Sequence, residues 1–188
     1  MVPAGKTVMT DPTRRRLLSA GAAAVACLAA RPAISAAFAP ARPRTIALSN
    51  LHTGESLKLD YWADGAYLAR SLQQVDLVLR DHRNNQVHPI DPRLIDLLYA
   101  LDGSLGTNRA DQVISGYRSP ATNAMLAAES SGVAQHSLHT QRMAIDVRVE
   151  GVPLNRLRDI AMSLRLGGVG FYPRSDFVHV DVGRVRYW

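Results

Sequence analysis

The chain has 188 residues, 47% of them hydrophobic and 20% charged, with 22 Lys and Arg against 16 Asp and Glu and a formal charge of +6. That length and balance describe one globular domain with room for a leader, and they exclude a disordered or fibrous chain. Lys6, Arg14, Arg15, Arg16 and Arg31 against Asp11 put +4 into residues 1–37, leaving 17 basic and 15 acidic residues, a net of +2, in residues 38–188. The basicity is therefore local to the start of the chain and gives no support to nucleic-acid binding.

Thr13-Arg14-Arg15-Arg16-Leu17-Leu18 opens a 14-residue apolar run, Leu17 to Ala30, broken only by Ser19 and Gly21, with small residues at Ser35-Ala36-Ala37. A basic segment, a short apolar segment and a small-residue end predict a signal peptide over residues 1–37. Its paired arginines resemble the twin-arginine export signal. The run falls short of the roughly 20 residues that span a bilayer, which weighs against an uncleaved anchor. Cys27 lacks the leucine three residues upstream that a lipidation signal carries. Removal of the leader takes away the single cysteine, so the exported domain must be held by its core alone.

Residues 38–44, rich in proline and arginine, read as a linker, and residues 45–188 as the domain. Thr45–Ser49 and Ser56–Trp62 predict a β-hairpin across Asn50, Thr53 and Gly54. Ala66 to Arg80 carries Leu68, Leu72, Val75 and Val78 at helical spacing. Asp91-Pro92 starts a second helix with Leu94, Leu97, Leu98 and Leu101 on one face, ended by Gly103 and Gly106. A short strand over Gln112–Ser115 precedes a helix from Ala121 to Ser130. Met143–Val149 alternates, Ala144, Asp146 and Arg148 against Ile145, Val147 and Val149. A helix from Pro153 carries Leu154, Leu157, Ile160, Ala161 and Leu164 and ends at Gly167-Gly168. Phe177–Val182 alternates again, Phe177, His179 and Asp181 against Val178, Val180 and Val182. The fold class is α+β, a small antiparallel sheet with flanking helices.

Two late strands thus place acids or a histidine opposite their valines. His139, seven residues before Asp146, together with Asp146 and His179 offers three metal ligands and leaves a position open. By spacing alone, a hydrogen-bonded histidine beside a solvated carboxylate is the better reading. Ser137 and Ser119 show no Ser-His-Asp arrangement. His136 reads as a loop histidine, with a place near the substrate as its alternative, His52, His82 and His88 occupy turn-like or polar surroundings, and Tyr172 and Trp188 read as core or rim, with a cleft wall as their alternative.

The local sequence decides between these. Ser137-Leu138-His139-Thr140-Gln141-Arg142-Met143-Ala144-Ile145-Asp146 resembles the Ser-x-His-x-x-Gly-x-Ala-x-Asp motif of the D-Ala-D-Ala metallopeptidases, a superfamily shared with the hedgehog-type zinc domain. Phe177-Val178-His179-Val180-Asp181 resembles their second histidine strand, and Ser115-Gly116-Tyr117-Arg118-Ser119 the segment whose arginine faces the substrate. Asn50 to Glu55 and Gly167 to Ser175 narrow the resemblance to the murein endopeptidase K family, over nearly the whole chain after the leader. The resemblance implies a hedgehog/DD-peptidase-like fold and a periplasmic zinc endopeptidase that cuts peptidoglycan peptide cross-links, diaminopimelate–diaminopimelate links included. It implies Zn²⁺ held by His139, Asp146 and His179, with Arg118 on the substrate and Asp176 or Asp181 as the general base. Asp181 is alternatively a residue that orients an imidazole. Peptidoglycan is the expected partner; no nucleic acid and, once the leader is gone, no membrane is expected. Arg142 stands where the motif has glycine, which bears on the turn or the cleft. A non-catalytic peptidoglycan-binding module of the same fold and a stem-peptide carboxypeptidase are the alternatives.

Overall fold

A computed structural model describes residues 42–129 and 134–188. The leader and most of the linker lie outside the described residues. Among those described, no helix is long and apolar enough to cross a membrane.

The first hairpin forms as the alternation predicts, from β1 (Arg44–Asn50) and β2 (Ser56–Ala63). Asn50 sets its turn: the side-chain oxygen accepts from the His52 and Thr53 N–H groups. The predicted helix at Ala66 starts later. Asp64 and Gly65 adopt left-handed φ of 52° and 84°, which folds Ala66–Tyr67 back as the short β3. Helix α1 then covers Ala69–Val78. Helix α2 (Pro92–Leu105) follows its sequence signals closely: the Asp91 carboxylate accepts from the Arg93 N–H, Pro92 fills the first turn, and Gly106 closes the helix at φ 67°. It runs through Gly103, because its buried face, Leu94, Ile95, Leu98, Leu101 and Leu105, outweighs one glycine.

Strand β4 (Asp111–Ser115), helix α3 (Pro120–Glu129), strand β5 (Ala144–Val149) and helix α4 (Leu154–Leu164) come next. The chain then makes β6 (Gly168–Tyr172), β7 (Phe177–Asp181) and β8 (Arg186–Tyr187). All eight strands form one sheet in the order β3-β2-β1-β4-β5-β7-β6-β8. It is mostly antiparallel, as expected, but larger. Two pairings, β1 with β4 and β6 with β8, are parallel. The strands β3, β6 and β8 carry little alternation, so period-2 reading passes over them.

Helices α2 and α4 pack against each other and against the sheet. The valines and isoleucine of the alternating strands, Ile145, Val147, Val149, Val178 and Val180, join Leu94, Leu98, Leu101 and Leu157 in one core. Each such side chain contributes about 1.5–3 kcal/mol on burial. Alternation then sends Asp146, His179 and Asp181 to the opposite face of the sheet.

Candidate metal centre

The register across the central strands makes one row: Ser115 of β4 faces Asp146 of β5, Asp146 faces His179 of β7, and His179 faces Gly170 of β6. His139 reaches this row from the turn that precedes β5. There the Thr140 N–H donates to the Ser137 carbonyl, Arg142 N–H to the His139 carbonyl, and Met143 N–H to the Leu138 carbonyl. Closing that turn requires φ of 65° at Arg142. This is the physical reason for glycine in the motif, and it answers the question that arginine raised there: the exposed side chain is not among the residues lining the cleft. A left-handed non-glycine residue costs about 1–2 kcal/mol. Arg142→Gly is therefore expected to raise stability by about 1 kcal/mol in urea unfolding; an unchanged or lower midpoint would count against it.

Three atoms converge. His139 Nε2 lies 3.3 Å from Asp146 Oδ1, His179 Nδ1 lies 2.9 Å from the same oxygen, and the two nitrogens are 3.2 Å apart. All three residues are buried, at 3–8% exposure. The outward nitrogens settle the tautomers. His139 Nδ1 is 2.8 Å from the Gly116 carbonyl, which only accepts, so Nδ1 carries the proton. His179 Nε2 is 3.1 Å from Asp181 Oδ2 and donates to it. In the neutral rings both inward nitrogens are then lone pairs, facing each other and a carboxylate oxygen. That arrangement is repulsive without a cation among them. A tetrahedral zinc with bonds of about 2.0–2.1 Å separates its ligands by about 3.3 Å, so both the donor set and its spacing fit that ion. The two imidazoles hold the Asp146 carboxyl well below the usual carboxylate range despite its burial.

Asp181 is fully buried and has no oxygen to spare. Besides His179 it accepts from the Gly168 and Gly183 N–H groups at 3.1 and 2.8 Å and from both terminal nitrogens of Arg186 at 3.0 and 2.7 Å. Its pKa lies far below the usual range; burial opposes this, and the His179 and Arg186 contacts and the two amides overcome it. Arg186 is the partner of Asp181 that sequence reasoning missed, since nothing in Gly183-Arg184-Val185-Arg186 marks it as such.

The structure does not bring Asp176 to the row. It precedes β7 at φ 54°, is exposed, and its Oδ2 pairs with Arg148 at 2.5 Å. Arg118 does reach the site, with one terminal nitrogen 3.3 Å from Ser115 Oγ and 3.7 Å from Asp146 Oδ2, and with its buried Nε unpartnered. Burial lowers its pKa. A cleft of about 610 Å³ lies over the row, walled by Arg118, His136 and Leu138 and by Tyr172, Phe177 and Trp188. His52 and His82 stack on each other with centroids 4.0 Å apart, and His88 packs on Tyr117. Among the described residues, the one group of three or more metal-binding side chains is His139, Asp146 and His179.

Comparison with known proteins agrees with this geometry. The family model for peptidoglycan L,D-endopeptidase MepK matches residues 38–188. The MepK of Escherichia coli K12 is 46% identical over 179 residues, 95% of this chain and 98% of the relative. The probable MepK of Haemophilus influenzae is 41% identical over 95% of this chain and 96% of its own length. No solved structure matches. A donor set built on the motif residues and a family match over the whole described domain lead to one conclusion: the chain belongs to the peptidoglycan L,D-endopeptidase MepK family of M15 peptidases.

Proposed function

We propose that this protein is a zinc-dependent peptidoglycan endopeptidase that hydrolyses peptide cross-links, diaminopimelate–diaminopimelate links among them. The observation that carries this reading is the convergence of His139 Nε2, Asp146 Oδ1 and His179 Nδ1, with both outward ring nitrogens already engaged. Family membership supports the substrate. These three residues would hold the metal. Zinc on two imidazoles and a carboxylate supplies Lewis-acid polarisation of a carbonyl and acidification of water near neutral pH.

The chain's own residues do the rest. Gly116 and Asp181 keep the two rings in the tautomers that present lone pairs inward. Asp181 acts as the positioning residue for His179 and not as the base, because all its acceptor capacity is used. Arg118, a cleft residue whose terminal nitrogens are steadied by Asn123 and Ser115, places a guanidinium charge beside Asp146 for a substrate carbonyl or carboxylate. Asp176 is assigned a structural role, the ion pair with Arg148 at the start of β7. Asp176→Asn is accordingly expected to keep kcat within about tenfold of wild type. A loss in the 10²–10⁴-fold range of a general base would return that role to it.

Residues 1–37 act in this reading as a twin-arginine-type signal and 38–44 as a linker, with residues 45–188 as the peptidase domain in the periplasm. The family match beginning at residue 38 supports the first boundary, while β1 already opens at Arg44. The test is digestion of isolated sacculi rich in both cross-link types by the zinc-loaded protein, with muropeptides identified by mass spectrometry. Conversion of cross-linked dimers to monomers is expected. Stoichiometric zinc and sacculus binding without conversion would favour the binding module, and release of terminal residues alone the carboxypeptidase.

A further inference from the structure

Two aromatic residues of the cleft wall have no part in the donor set. Trp188 extends the β6–β8 pairing: the Phe171 N–H donates to its carbonyl at 2.9 Å, and its own N–H donates to the Val169 carbonyl at 3.2 Å. The indole settles over Gly170, where a Cβ would come within 2.7 Å of the ring. Because Gly170 is in register with His179, that placement brings the indole centroid to 5.3 Å from the imidazole. The Arg186 guanidinium, already tied to Asp181, lies 4.8 Å from the indole centroid. The indole Nε1–H then donates to the Tyr172 hydroxyl at 2.7 Å. Tyr172 is held from another side by its stack on Phe177, centroids 4.6 Å apart and planes within 21°.

This hydrogen bond has a directional consequence. A phenol hydrogen lies near the ring plane in one of two positions, and the oxygen accepts on the other side. With the indole donating on one side, the Tyr172 hydrogen turns to the side away from Trp188. Among the described residues no acceptor takes it. Both side chains line the cleft, as does Arg118. The cleft that holds His139, Asp146 and His179 therefore also holds a fixed hydroxyl donor on its wall, the Tyr172 O–H.

We propose that Tyr172 is a catalytic residue whose O–H donates to the scissile carbonyl oxygen as negative charge develops on it, and that Trp188 is the positioning residue that aims this hydroxyl. The inference rests on the endopeptidase reading above. A fixed donor directed at developing charge stabilises the transition state more than the ground state, so its removal lowers kcat with little change in KM.

The test compares wild type, Tyr172→Phe, Trp188→Phe and the double variant, all zinc-loaded and checked for zinc content and near-UV circular dichroism. Each is assayed on a purified cross-linked muropeptide dimer. Each is also titrated calorimetrically with a phosphinate analogue in which the scissile amide is replaced. Tyr172→Phe is expected to lower kcat roughly 10²-fold with KM nearly unchanged, and to weaken phosphinate binding by a similar factor. Trp188→Phe keeps an aromatic wall but loses the indole donor, and a smaller loss in kcat is expected. The double variant should be no worse than Tyr172→Phe alone, because the two residues act through one hydroxyl. Tyr172→Phe matching wild type in both turnover and phosphinate affinity overturns the proposal while leaving the endopeptidase reading intact. Losses that multiply in the double variant overturn the positioning role of Trp188. A wild type that neither cleaves the dimer nor binds the phosphinate overturns both proposal and reading.

Discussion

His139→Ala is expected to abolish cross-link cleavage and stoichiometric zinc binding together, and Asp181→Asn to weaken zinc binding about 10–100-fold while the fold persists. The two effects have different causes. In the proposed reading His139 is itself a ligand, its Nε2 lying 3.3 Å from Asp146 Oδ1 and 3.2 Å from His179 Nδ1. In the same reading Asp181 acts by holding the proton of His179 on Nε2, which leaves Nδ1 bare beside Asp146. An asparagine there keeps the shape but can present an amide N–H to the ring, allowing the tautomer that blocks Nδ1. Removing the metal with a chelator should also lower the melting temperature. At a free zinc concentration one hundred times Kd the bound ion adds about 2.7 kcal/mol. Zinc affinity measured by competition with a chromophoric chelator checks the series. Wild-type affinity in Asp181→Asn, or retained turnover in His139→Ala, would remove the assigned ligand set.

Asp111→Asn is expected to stabilise the protein at pH 8 by about 1–3 kcal/mol, the cost of an unsatisfied buried polar group, with the gain shrinking toward pH 4. Asp111 opens β4 with no exposure, and neither carboxylate oxygen has a partner. Burial and the neighbouring Asp102 push its pKa well above the ordinary 3.8. Burial pushes Asp102 itself up to about 7, although Lys58 and Arg109 line the same hollow. A raised carboxyl pKa means that the folded state binds more protons than the unfolded state between pH 3.8 and the folded value. Stability then falls as pH rises through that window, and the share that Asp102 contributes to the cost is complete above about pH 7. Asparagine is neutral throughout and brings no buried charge to desolvate, so the variant's stability should be flatter with pH. Urea unfolding at pH 5 and pH 8 reads the difference. A gain of equal size at both pH values, or a loss at pH 8, would show that Asp111 finds a partner.

The two alternating strands were legible because period-2 patterning with valines on one face needs only local sequence. It placed Asp146, His179 and Asp181 on a common side before any pairing was known. Helix α2 was legible for a similar reason, with Asp91, Pro92 and Gly106 bounding an apolar stripe. β6 and β8 were not, because Gly168-Val169-Gly170 has no alternation and Arg186–Tyr187 is too short for any period. Their existence depends on partners far along the chain.

Within the site, residue types and order belong to the sequence: two histidines, an aspartate and an arginine in motifs that point to metallopeptidase chemistry. The division of labour between the two candidate acids does not. Asp176 and Asp181 flank His179 at short distances in sequence, and spacing treats them alike. The turn at φ 54° sends Asp176 out to Arg148, whereas strand pairing buries Asp181 against two amides and Arg186. The Trp188–Tyr172 contact likewise needs Gly170 in register with His179. The sequence by itself determined the helices and strands that short-range periodicity marks and, through the family its motifs resemble, the chemistry to expect, because both are carried by contiguous residues. Only the tertiary structure decided which oxygen and which ring nitrogen remain free to use, because that depends on hydrogen-bond partners brought together across the sheet.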